Sequence, residues 1–135
     1  MLKFIISFLF LFNLFNCEKK ADSMVFEVNP NLSKEKEFNV NSGQEFIIKL
    51  YSRYTSWVLL NKNDKDSVTF IKTDYIEEYE EKDRKDREKK KGYVLYYFKA
   101  NSPTKEPRLI KFADTYSYLK ESNPAPKFII KINVN

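Results

Sequence analysis

Apolar side chains recur at every second position over most of the chain after residue 23. The clearest run lies near the C-terminus, where Phe128, Ile130, Ile132 and Val134 are each separated by one residue. A period of two places one face of an extended strand on a core and the other face in water. Clusters of Asn, Pro, Ser and Gly interrupt the runs and predict turns. We therefore predict strands near 24–28, 37–40, 44–51, 56–61, 67–75, 92–100, 107–113 and 127–134.

Short strands at this spacing are typical of an all-β domain. The helical patterns that a βαβ arrangement would need between the strands are missing. The sequence therefore predicts an immunoglobulin-like antiparallel β-sandwich of about seven to eight strands. We expect residues 24–135 to form this single domain, because they suffice for one apolar core.

Residues 77–91 are the one segment with a different pattern, and they hold equal numbers of acidic and basic side chains. An acid precedes a base by four residues at five places, for example at Glu80 and Arg84. Such pairs stabilise a helix, but no apolar stripe continues past Tyr79 to pack it on a core. The segment is predicted to be either a short helix or a solvated charged loop between two strands.

Residues 1–16 have the features of an export signal, and we do not expect them to form part of the fold. Lys3 supplies a positive charge, and residues 4–15 are apolar except for Ser7 and Asn13. This run is too short to span a bilayer comfortably but suits the hydrophobic region of a signal peptide. We predict that residues 1–16 are a lipoprotein signal peptide.

Residues 14–17 (LFNC) resemble the lipobox of bacterial lipoproteins, in which the Cys is lipidated and becomes the new N-terminus. Asn16 replaces the commoner Gly or Ala, as in the looser lipoboxes of spirochaete lipoproteins. The resemblance implies lipidation at Cys17, the only Cys in the chain, and a tether over residues 17–23. It implies a location in the bacterial cell envelope, on the inner or outer membrane, facing the periplasm or the cell surface.

Composition excludes several kinds of chemistry. The chain has no His and only two Gly, so His-based triads, His/Cys zinc sites and Gly-rich phosphate loops are unavailable. Lys and Arg number 24 against 19 Asp and Glu, a mild excess that is interleaved with acids and does not favour nucleic acid. We predict a protein that is not an enzyme and that has no cofactor and no metal.

The order of features from residue 37 onward resembles the chagasin-like protease inhibitors, which are small exported immunoglobulin-like domains. Residues 43–50 (GQEFIIKL) look like the glycine-led strand of that family, and a loop and Trp57 follow them. The later strands come in the family's order. The resemblance implies the family's sandwich and, by extension, inhibition of cysteine proteases through three loops at one end.

The inhibitory motifs of that family are not retained. Residues 53–56 (RYTS) stand where the family has Asn-Pro-Thr-Thr-Gly, and the charged run replaces its glycine-rich tip. Residues 114–118 (DTYSY) stand where it has Arg-Pro-Trp. Because a shared fold does not carry function, the resemblance implies the scaffold more firmly than the inhibition.

Aromatic residues supply the candidate binding site. Trp57 lies inside a strand pattern and is interpreted as a core residue. Tyr and Arg anchor protein interfaces more often than other residues do. The loops predicted near residues 51–56 and 114–122 hold several such side chains, and we expect them to lie at the same end of the sandwich. The candidate binding residues are Arg53, Tyr54, Thr55, Tyr116, Tyr118 and Lys120.

Three functions remain open on the sequence alone. The first is a membrane-anchored, non-enzymatic lipoprotein that binds another protein through loops at one end of the sandwich. The second is a chagasin-like cysteine protease inhibitor. The third is an envelope glycan-binding module or enzyme that uses surface carboxylates and tyrosines.

Overall fold

The computed structural model describes residues 23–52, 56–63 and 66–135. Each predicted strand corresponds to one strand of the structure, with ends that agree or differ by at most three residues. A short helix follows β7 directly, and no sequence pattern predicted it. The elements are β1 Met24–Val28, β2 Glu35–Val40, β3 Glu45–Tyr51, β4 Trp57–Leu59, β5 Val68–Glu78, β6 Lys91–Ala100, β7 Arg108–Asp114, α1 Thr115–Lys120 and β8 Phe128–Val134.

The strands form two four-stranded sheets, ordered β1-β3-β6-β5 and β2-β8-β7-β4. This confirms the predicted all-β, immunoglobulin-like sandwich. The sheets are mixed rather than purely antiparallel, because β1 pairs parallel with β3 and β2 pairs parallel with β8. Parallel neighbours need a crossover connection. Between β1 and β3, the chain makes this crossover by passing through the other sheet as β2.

The core lies between the two sheets and is lined by the alternating residues that the sequence indicated. Phe46, Ile48 and Leu50 of β3 are fully buried, as are Phe112 and Phe128 in the facing sheet. Burying a large apolar side chain stabilises a fold by about 1.5–3 kcal/mol. The strands that carry these residues are therefore held face to face.

Trp57 is buried in this core, which confirms its interpretation as a structural residue. Its indole Nε1 donates a hydrogen bond to the backbone oxygen of Tyr51 at 3.3 Å. Its own backbone oxygen accepts a hydrogen bond from the buried hydroxyl of Tyr96. Since Tyr96 belongs to β6 and Trp57 to β4, this bond joins the two sheets.

Residues 79–90 connect β5 to β6 as the tip of a hairpin. Two short 3₁₀ turns, Glu81–Asp83 and Arg87–Lys89, contain no buried residue. No α-helix forms, because Glu78 pairs with Lys91 across the hairpin and holds both ends of the segment in strands. The charged run is a solvated connector.

None of the helices among the described residues is both long and apolar enough to cross a bilayer.

Candidate functional site at the loop end

Described parts of four connections meet at one end of the sandwich, which we call the loop end: residues 29–34, residues 52 and 56, residues 79–90 and residues 115–127. The strand registers place them there. Val28 lies opposite Leu50 near the ends of β1 and β3, and Tyr51 lies opposite Tyr93 at the base of the β5–β6 hairpin.

The connections that follow β3 and β7 are in direct contact. The backbone nitrogen and the hydroxyl of Thr115 each donate to the backbone oxygen of Ser56 at 3.0 Å. Trp57 lies opposite Asp114 in the β4–β7 register. Three of the candidate residues, Arg53, Tyr54 and Thr55, fall outside the described residues, as does Cys17.

Helix α1 begins at a buried acidic residue. Asp114 accepts hydrogen bonds from the backbone nitrogen of Ser117 at 2.8 Å and from its hydroxyl at 2.9 Å. A side chain that accepts from the first turn in this way is an N-cap. The Nζ of Lys127 lies 2.7 Å from the second carboxylate oxygen. The hydrogen bonds from Lys127 and Ser117 lower the pKa of Asp114 well below its usual value.

The helix presents two of the candidate tyrosines to solvent. Tyr116 is 66% exposed and Tyr118 is 47% exposed. Lys120 donates a hydrogen bond to the hydroxyl of Tyr116 at 2.6 Å, so these two side chains form one unit. The structure therefore brings Tyr116 and Lys120 together, with Tyr118 on the same short helix.

Two exposed leucines at this end were missed by the sequence reasoning. Leu119 on α1 is 77% exposed, and Leu32 in the 29–34 connection is 83% exposed. The sequence does carry a signal for Leu32. It lies between turn-forming residues in the sequence Pro-Asn-Leu-Ser at 30–33, which indicates an exposed Leu in a loop.

A shallow groove runs beside α1. One part has a volume of about 590 Å³ and is lined by Leu32 and Pro126 among others. The adjoining part has a volume of about 540 Å³ and is lined by Trp57 and Tyr116 among others. Asn31 and Lys127 line both parts, so the two parts are neighbours.

The loop end presents mainly exposed side chains, with one buried carboxylate. In the part of the chain that the structure describes, no three or more His, Cys, Asp or Glu residues form a group that could hold a metal ion. Asp114 is the single buried carboxylate among the described residues, and three hydrogen-bond donors engage it. What the end offers to a partner is exposed aromatic, aliphatic and basic surface.

The fold is similar to that of solved structures. The crystal structure of the cysteine protease inhibitor EhICP2 from Entamoeba histolytica matches with a TM-score of 0.56 and 8% identity, covering 84% of this chain and 98% of that chain. The solution structure of amebosin matches with a TM-score of 0.42 and 14% identity, covering 83% and 98%. No protein-family model and no curated protein matches the sequence. The sandwich thus shares its overall fold with the EhICP2 structure.

Proposed function

We propose that the domain is a non-enzymatic protein-binding module that inhibits a papain-like cysteine protease through its loop end. The observation that carries the proposal is a fold shared along nearly the whole length of a cysteine protease inhibitor, with four connections converging at one end. An end that presents several loops and an exposed helix can insert side chains into a protease cleft.

The contacts in such a complex would differ from those implied by the family's motifs. The exposed side chains of Tyr116, Tyr118 and Leu119 on α1, with Leu32 beside the groove, would provide the anchors. Aromatic anchors packed in pockets supply most of the energy of a protein interface. Asp114 and Lys127 would keep α1 rigid, which lowers the entropy cost of binding.

We further propose that lipid on Cys17 tethers the domain in the cell envelope. Met24 lies opposite Phe46, at the end of the sandwich remote from the loop end. The chain therefore enters the domain at the pole opposite Tyr116. A lipid at residue 17 would place the loop end away from the membrane, where a partner can reach it.

The test is inhibition of a papain-like protease by residues 24–135. We expect inhibition at micromolar concentration or better, and we expect Tyr116→Ala with Tyr118→Ala to weaken it more than tenfold, since interface anchors cost about 2 kcal/mol or more. Tyr75→Ala is the matched control, because Tyr75 is 59% exposed but lies on β5. No slowing of any papain-like protease by the folded domain would refute the inhibitor proposal.

The second candidate function is capture of a different envelope or host protein through the same end. It is favoured by the sequences of the charged hairpin tip and of α1. The resemblance to the chagasin-like inhibitors aligns these segments with inhibitory motifs that this chain does not retain. Cross-linking from native envelopes would then recover a partner that is not a protease, and the same tyrosine substitutions would weaken its capture.

A further inference from the structure

One edge of the first sheet is formed by a long strand, β5. β5 has eleven residues and pairs with β6 on one side, while no described strand pairs with its other side. Residues 71–75 are all exposed, including Ile71 at 48% and Tyr75 at 59%. Edges of this kind are templates for pairing with another strand.

The hydrogen bonds of β6 show which backbone groups of β5 are free. The oxygen of Ala100 accepts from Gly43, its nitrogen donates to Gln44, and the oxygen of Gly92 accepts from Ser52. Even-numbered residues of β6 therefore direct their backbone groups toward β3. Its odd-numbered residues direct theirs toward β5, because the direction alternates along a strand.

Lys72 and Asp74 lie opposite odd-numbered residues of β6 and so direct their backbone groups toward that strand. The residues between and after them, Thr73 and Tyr75, direct their N–H and C=O groups to the open edge. A second strand centred on Thr73 could take up these groups without disturbing β6.

We propose that β5 binds β5 of a second copy of this chain, antiparallel, with the two Thr73 residues opposite each other. Within one strand the Nζ of Lys72 lies 3.1 Å from the Oδ2 of Asp74. In this register Lys72 also lies opposite the second copy's Asp74, and Ile71 lies opposite the second copy's Tyr75. The twofold axis of this dimer passes between the two Thr73 residues and generates a second copy of each pair. Opposite charges and paired apolar side chains facing each other across two strands each stabilise a sheet.

Neighbouring registers are disfavoured by charge. Moving the centre by one residue places either the two Asp74 carboxylates or the two Lys72 ammonium groups opposite each other, and like charges destabilise cross-strand pairs. The bulge between Phe70 and Lys72 breaks the regular ladder on one side. The paired segment is therefore short, and the association belongs to the small, reversible class.

The arrangement leaves the loop end of each copy free. Because the two β5 strands run in opposite directions, the loop ends point away from each other, and so do the two ends at which residue 23 lies. Two lipid-anchored copies that pair in this way would come from facing membrane surfaces.

The test uses residues 24–135, which contain all eight strands and the buried core. We expect sedimentation velocity to show a monomer that dimerises as its concentration rises. Lys72→Asp should weaken dimerisation by about tenfold or more, because it replaces two attractive pairs with two repulsive ones. Combining Lys72→Asp with Asp74→Lys should restore it. Lys36→Asp, on the edge strand β2 of the other sheet, should have no effect.

A cysteine scan tests the register, since the only Cys of the chain lies outside this segment. Opposed residues in a hydrogen-bonded antiparallel pair have Cα atoms about 5.5 Å apart, within the range of a disulfide. Thr73→Cys should therefore form a disulfide-linked dimer under mild oxidation, and Tyr75→Cys should not. A domain that stays monomeric at millimolar concentration, a dimer insensitive to Lys72→Asp, or cross-linking through Tyr75→Cys instead would overturn the proposal. Melting curves verify that each variant is folded.

Discussion

The Nζ of Lys127 lies 2.7 Å from a carboxylate oxygen of Asp114, and this ion pair closes the connection that carries α1. Asp114 ends β7, and Lys127 immediately precedes β8. The pair therefore ties the two ends of this connection together, beside the hydrogen bonds of Thr115 to Ser56 and of the Lys127 backbone nitrogen to Phe112. Tyr116 and Tyr118 lie on the short helix that Asp114 caps.

Replacing Asp114 should destabilise the domain through the loss of the helix cap. Asp114→Ala removes the acceptor for Ser117 and leaves Lys127 without its carboxylate. Loss of an N-cap costs about 0.5–2 kcal/mol, so we expect urea unfolding to show a loss of this order. Lys127→Ala should cost less, because its side chain is more than half exposed. Equal stability of Asp114→Ala and the unmodified domain would contradict this role.

Asp114 should also make the stability of the domain depend on pH. The pKa of Asp114 is lowered by Lys127 first and by the Ser117 backbone second. A carboxyl whose folded pKa is depressed contributes stability above its unfolded pKa of about 3.9, and this contribution is lost as pH falls through the folded pKa. The difference in unfolding free energy between the unmodified domain and Asp114→Asn should therefore be constant above about pH 5 and shrink below about pH 4. A difference that stays constant at acid pH would show that the ionised carboxylate contributes nothing.

The bond between the two sheets gives a third prediction. Tyr96→Phe removes the hydroxyl that donates to the backbone oxygen of Trp57. Burial raises the pKa of Tyr96, so this hydroxyl stays protonated. We expect a loss of about 1 kcal/mol in unfolding followed by Trp57 fluorescence. Tyr97→Phe is the control, because Tyr97 is only partly buried, and a similar loss there would argue against a specific role for the Tyr96 bond.

The charged hairpin tip should be dispensable for folding. Its 3₁₀ turns contain no buried residue, and surface changes away from packed features alter stability by about 0.5 kcal/mol or less. Replacing residues 79–90 with a short Gly/Ser link should therefore leave the β-type circular dichroism and the unfolding free energy of residues 24–135 nearly unchanged. A loss of several kcal/mol would mean that the tip packs on the sandwich.

Membrane association should depend on Cys17. If lipid on Cys17 is the tether, multiple acyl chains would hold the protein firmly, whereas the mild basic charge of the domain would bind a membrane only weakly. Cys17→Ala should therefore abolish labelling with fatty acid and release the domain from membranes. A variant that still sediments with membranes after a high-salt wash would reject the lipoprotein proposal.

The amino-acid sequence by itself determined the positions of the strands and the identity of the core. Alternation at residues such as Phe46, Ile48 and Leu50 fixes which side chains must be buried, because only one face of an extended strand meets the other sheet. Trp57 could be placed in the core for the same reason. These are local properties, and they survive in any arrangement of the strands.

The tertiary structure decided which strands are neighbours and what the loop end presents. Parallel pairing of β1 with β3 depends on β2 crossing to the other sheet, which no local pattern records. Helix α1 has no apolar period and forms where Asp114 meets Ser117 and the distant Lys127. The edge of β5 is open because β5 is the last described strand in the order β1-β3-β6-β5. Each of these features is set by contacts between residues far apart in the chain, so they exist only once the two sheets have packed.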